Sequence, residues 1–165
     1  MKAEAQEQHR WLMQLVGDWV YDSECDGGPG NGTIKTTGSE SVRAIGELWV
    51  VGDGQGEMPG GGQATMQITL GYNPARGRFV GSWVGSMMTH FWTYDGFLDE
   101  TGTVLTLEAE GPSFAGDGGV STYRDIVTVK GPDHRILTGN VRNPDGSWTT
   151  FMTSHYRRKS EDPAL

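Results

Sequence analysis

Residues 64–85 read Ala64-Thr-Met-Gln-Ile-Thr-Leu-Gly-Tyr-Asn-Pro-Ala-Arg-Gly-Arg-Phe-Val-Gly-Ser-Trp-Val-Gly85, or ATMQITLGYNPARGRFVGSWVG. Met66, Ile68, Leu70 and Tyr72 recur at every second position, the period of a strand with one buried face. Asn73–Gly77 then has turn chemistry: Pro74 fixes φ and Gly77 accepts positive φ. A second strand follows over Arg78–Gly85. Two strands joined so tightly must run antiparallel.

The same texture extends in both directions. Upstream, Trp19–Cys25 alternates, Thr33–Ile45 reads as an exposed Thr- and Ser-rich strand, and Glu47–Gly52 is strand-like. Downstream, strands are predicted at Met88–Phe97, Thr103–Glu110, Val120–Val129, Arg135–Arg142 and Ser147–Arg157. Short turns at residues 99–102, 131–133 and 143–146 connect them, and residues 26–32, 52–62 and 111–119 are loops. Only Ala3–Val16 reads as a helix, with Trp11, Leu12, Leu15 and Val16 on one stripe and Gly17 placed as its left-handed cap. His9 is expected on its surface.

About ten strands without helical crossovers exclude a parallel sheet. So long an antiparallel run must dispose of its edges. The fold class predicted is therefore all-β: a closed antiparallel up-and-down barrel of about ten strands with one N-terminal helix. One domain spans 1–165, with the helix at about 3–16, the barrel at about 18–158 and a frayed tail at 159–165.

Lys and Arg number 13 and Asp and Glu 21, for a net charge of −8. Such a chain repels nucleic-acid backbones and anionic membrane surfaces, so neither is an expected partner. One cysteine, Cys25, allows no internal disulfide, and MKAEAQEQHRW lacks the apolar core of a signal peptide. Together these point to the cytoplasm. The 26 glycines are scattered among turn signals, as short strands and tight turns require.

If the barrel is hollow, the chain's aromatic and methionine side chains line it, and a small apolar or amphipathic ligand is the expected partner. Within GSMMTHFWTYDG (85–96), Met88, His90, Trp92 and Tyr94 share one face and are the pocket candidates. His90 is the candidate acid or base. Arg124, pointing inward, would pair with Glu108 or Glu110 and hold a polar or anionic head group; pointing outward, it would be a solvated strand residue. His155 lies near the terminal arginines and His134 in an exposed turn. No Cys-x-x-Cys or His-Glu-x-x-His motif is present, so no metal site is expected. GPSFAG (111–116) misses the nucleophile elbow, and GDGQGEMPGGG (52–62) lacks the dinucleotide fingerprint and reads as a mobile mouth loop.

Three segments together resemble a known family: LVGDWV (15–20) after the helix, LGYNPARGRFVGSWVGSMMTHFWTYDG (70–96), and FMTSHYRRK (151–159). Over about residues 8–159 the chain resembles the DUF1579 family, a bacterial family without a known function. The Gly17-x-Trp19 opening and the terminal arginines also resemble the calycin group, which includes lipocalins and fatty-acid-binding proteins. That resemblance implies that Trp19 closes one end of the barrel with Arg157 or Arg158 over its indole. Related barrels bind haem through one histidine, which here would be His90 or His155. An enzyme using His90, with a carboxylate or Arg124 as partner, and a plugged structural barrel are the remaining readings. The subunit count, a homodimer included, stays open.

Overall fold

The computed structural model describes residues 1–160. Of the tail expected at 159–165, Lys159 still donates its N–H to the Asp18 carbonyl at 2.7 Å, and residues 161–165 lie outside the described residues. A short helix, α1 (Glu7–Met13), precedes ten strands: β1 (Gly17–Asp26), β2 (Thr33–Ile45), β3 (Trp49–Glu57), β4 (Gln63–Asn73), β5 (Arg78–Gly85), β6 (Trp92–Leu98), β7 (Val104–Pro112), β8 (Val120–Gly131), β9 (His134–Arg142) and β10 (Trp148–Arg158). Each strand pairs antiparallel with its neighbours in sequence, and β1 also pairs with β10, Trp19 opposite Arg158. The sheet is a closed up-and-down barrel. Closure satisfies the backbone groups that a ten-stranded open sheet would leave at its edges.

One end of the barrel is solid. Leu12 and Leu15 from the N-terminal segment meet the inward residues Trp19, Val42, Val50, Leu70, Phe79 and Leu105 in one core. Each fully buried Leu contributes about 1.5–3 kcal/mol. Trp11 anchors the cap further: its Nε1 donates to the Gly102 carbonyl at 2.6 Å, and its ring meets the edge of Phe79 at 5.9 Å.

The helix is shorter than the apolar stripe suggests. His9 Nδ1 accepts from the Gln6 N–H at 2.9 Å and starts the helix there, while Leu15 and Val16 bond back only three residues, to Leu12 and Met13. Gly17, at φ 138°, completes the turn into β1. His9 is not on the surface. It is 3% exposed, its Nε2 lies 3.0 Å from the Tyr72 carbonyl oxygen, and its ring meets Tyr72 edge-on.

Two strands also differ from expectation. β3 continues to Glu57 through half of the expected loop, because Gly52 and Gly56 are inward strand positions covered by Glu40 and Tyr21. β6 begins only at Trp92, so residues 86–91 form a connection.

Candidate functional site

The barrel's interior follows from strand parity. Odd residues face inward on β1, β5, β7, β8 and β9, and even residues on β2, β3, β4 and β6; burial alternates plainly on β1, β2, β3 and β6, and the ladder register carries the parity to β8 and β9. At the closed end Trp19 is 2% exposed, and its Nε1 donates to the Leu15 carbonyl at 2.9 Å. Two guanidinium groups lie over its ring, those of Arg135 and Arg158, each 4.2 Å from the centroid. Arg158 also ties the helix end down through the Val16 and Gln14 carbonyls. Arg157, the alternative partner, is exposed.

Above this base lies a polar floor. Arg135 is 7% exposed, stacked between Trp19 and Tyr156, and its Nη2 pairs with Glu40 Oε1. Its Nη1 is the one sealed side-chain polar atom without a hydrogen-bond partner among the described residues. Beside this pair, Tyr21 and Tyr156 face each other with centroids 5.0 Å apart, and Tyr94 Oη donates to Asp125 Oδ2 at 2.6 Å. Burial pushes the Asp125 carboxyl up although the Tyr94 bond pulls it down. Burial likewise raises Glu40, against the pull of Arg135. The Tyr94 and Tyr156 hydroxyls are also driven up, by burial and then by the nearby carboxylates Asp125 and Glu40 respectively.

These shifts set the sign of a pH effect. A carboxyl raised on folding binds its proton more tightly in the folded chain, so stability falls as pH climbs from the ordinary aspartate range, about 4, to the raised value. Asp125→Asn keeps the acceptor for Tyr94 and removes that charge. It is expected to raise the melting temperature at pH 7.5 and to flatten the pH slope above the ordinary aspartate range. Thermal melts of both proteins across that range measure it.

From the floor to the open end the interior changes character. Ile34, Met66, Ile68, Trp83 and Leu137 face inward yet are only half-buried, unlike the sealed side chains at the closed end. Asp125 is enclosed deep in the protein and still touches solvent. These inward positions thus keep some contact with water. Tyr21 lies flat over Gly38 and Gly56, which stand successively across from it on β2 and β3, and a Cβ on either would overlap its ring. Gly56→Val is therefore expected to push Tyr21 into the lumen and weaken binding of a lumenal probe about tenfold, ~1.4 kcal/mol. Calorimetry with decanol checks it.

The residues singled out by sequence separate. Tyr94 belongs to the floor and Trp92 to the mouth, where it packs over Gly111 and meets Tyr123 at 5.1 Å. Met88 is exposed in the connection before β6, with its sulfur 3.0 Å from Trp92 Nε1. His90 lies in the same connection, not on the inner face. Its Nε2 is 3.0 Å from the Glu110 carbonyl oxygen, where β6 and β7 splay apart because their pairing begins only at Asp95 and Glu108. An open outer cleft of about 390 Å³ lies there, lined by His90, Phe91, Thr93, Asp95, Glu108 and Glu110, among others.

Arg124 is a correction. Tyr123, Asp125 and Val127 take the inward parity of β8, which turns Arg124 outward, where it bonds Glu108 at 2.9 Å and stacks on Trp148 at 4.4 Å. His155 also points outward and meets His134 at 3.2 Å, so neither His90 nor His155 offers a haem ligand inside the lumen. The inward pairs Glu40–Arg135 and Tyr94–Asp125 were not foreseen. The available signal was a charge on the apolar parity, as in Arg135-x-Leu137-x-Gly139-x-Val141.

A family model described as "Protein of unknown function (DUF1579)" matches residues 4–158. No curated protein matches. Among solved structures, the crystal structure of Rv2717c from M. tuberculosis superposes with a TM-score of 0.67 at 14% identity, covering 95% of this chain and 100% of that one. A barrel titled EF1p2_mFAP2b bound to DFHBI has a TM-score of 0.49 at 11% identity, covering 92% and 98%. Rv2717c is similar in fold.

Proposed function

The chain belongs to the DUF1579 family, which carries no assigned activity, and we propose that it binds a small amphipathic molecule inside its barrel. The observation that carries this reading is the gradient of exposure along the lumen. Inward side chains are sealed at the helix-capped end, whereas Ile34, Met66, Ile68, Trp83 and Leu137 keep contact with water inside a closed wall, with Ala64 and Tyr123 buried at the far rim. A barrel filled by its own side chains would seal both halves.

The lining fits a molecule with two ends. Ile34, Met66, Ile68, Trp83 and Leu137 offer an apolar sleeve, and the floor offers convergent polar groups, the arrangement of small-molecule sites. From Ile68 to Ala64 strand β4 advances about 13 Å, a span that a ten-carbon chain fills. Entry is through the end opposite α1, bounded by the connections at residues 27–32, 58–62 and 113–119.

Isothermal calorimetry with decanol tests the proposal. One molecule per chain is expected, with a negative heat-capacity change from apolar burial. Absence of binding would overturn the reading, and binding that Gly56→Val leaves unchanged would overturn it by placing the apolar site outside the lumen.

A further inference from the structure

Asp125 is the one inward-facing carboxyl that no cation meets among the described residues. Glu40, the other, has Arg135. Arg124, next to Asp125 in sequence, is on the opposite face and engaged with Glu108. The charged and titratable groups gathered at the floor are Tyr94 from β6, Tyr156 from β10, Tyr21 from β1, Glu40 from β2 and Arg135 from β9. β7, which pairs with β8 here, presents only Leu107 and Ala109 inward. With Asp125 ionised, the floor therefore holds one negative charge that nothing balances.

From this we infer that the lumenal ligand is a cationic amphiphile, an alkyl chain ending in a protonated amine that docks at Asp125. The inference rests on the binding proposal above and narrows it to a chemical class. An ammonium group has three donors and no acceptor. The free oxygen of Asp125 is a charged acceptor for one of them, since Tyr94 occupies the other oxygen. The hydroxyl of Tyr156, which feels the charge of Asp125, makes no hydrogen bond among the described residues and supplies a second acceptor. The rings of Tyr94 and Tyr156 add the electron-rich faces to which organic cations are drawn.

An anionic head group meets the opposite conditions. Arg135 is committed to Glu40, and its spare Nη1 is sealed from solvent. A carboxylate arriving at the floor would face Glu40 and Asp125 with no free cation. A neutral alcohol would be tolerated and would gain no charge pairing. The ranking is thus amine, then alcohol, then carboxylate, for chains of equal length.

Decylamine, decanol and decanoate, titrated calorimetrically into the full chain at pH 7.5, test this. Decylamine is expected to bind at least tenfold more tightly than decanol, and decanoate more weakly than either. Asp125→Asn is expected to abolish the advantage of decylamine, so that the amine and decanol bind the variant alike. Tyr94→Phe, which keeps the carboxylate, should retain the preference. In the unaltered protein the preference should fade as pH falls and Asp125 takes up its proton, with decanol unaffected. Decanol binding without any preference for the amine, or a preference that survives Asp125→Asn, would overturn the ligand class alone. Failure of all three probes to bind would overturn the lumenal reading and this inference with it.

Discussion

Replacing Arg135 by methionine is expected to lower the unfolding free energy by about 3–5 kcal/mol, the usual effect of removing one partner from a buried ion pair. The substitution leaves the Glu40 carboxylate enclosed without a cation. It also removes the guanidinium sandwiched between Trp19 and Tyr156. At 2–4 °C per kcal/mol for a domain of this size, the melting temperature should drop by about 10 °C. The double variant Glu40→Gln with Arg135→Met removes both charges and should recover most of the loss. Urea denaturation of the three proteins checks the sign. A single variant as stable as the parent would show that the pair is open to water and that the floor has been misplaced.

Trp19→Ala is expected to cost about as much again, 3–5 kcal/mol by the cavity alone. Its indole joins the helical segment to the barrel wall at the closed end. It bonds the Leu15 carbonyl and lies between Arg135 and Arg158. Arg158 in turn holds the carbonyls that end the helical segment. Loss of the indole therefore loosens the cap as well as the wall. Hydrogen exchange should show residues 7–16 losing protection before the strands do. Trp19→Phe keeps a ring but not the N–H, and its cost should be smaller. Equal protection of α1 in the alanine variant would contradict the role given to this end.

How much of this was legible depended on the range of the interaction. The Asn73–Gly77 turn declares itself locally: Gly77 has positive φ, and the Asn73 side chain accepts from the Ala75 N–H, as the residue types foretell. The alternation through Met66, Ile68 and Leu70 survives intact because one face meets the interior along the whole strand. The floor was not legible, because its pairs join positions 95 and 31 residues apart in the chain. Nothing local distinguishes Asp125 from a solvated strand aspartate. Arg124 and Asp125 differ by one position, and parity alone decides which enters the barrel. On β8 apolar residues occupy both parities, with Ile126 on one and Val127 on the other, so the pattern could not choose. His90 was misplaced for a different reason. The strand was expected to begin at Met88, but β6 and β7 separate at that end and the chain reaches the ladder only at Trp92.

The central claim is that the barrel encloses a lumen ending at Asp125, Tyr156 and Glu40. The most direct measurement is a crystal structure of the protein soaked with 10-bromodecanol, with the bromine located by its anomalous scattering. The account predicts a single strong peak inside the barrel, toward the end lined by Met66, Ile68 and Trp83, with the hydroxyl end at the floor. A lumen filled by side chains, or bromine found only in the outer cleft beside His90, would contradict it.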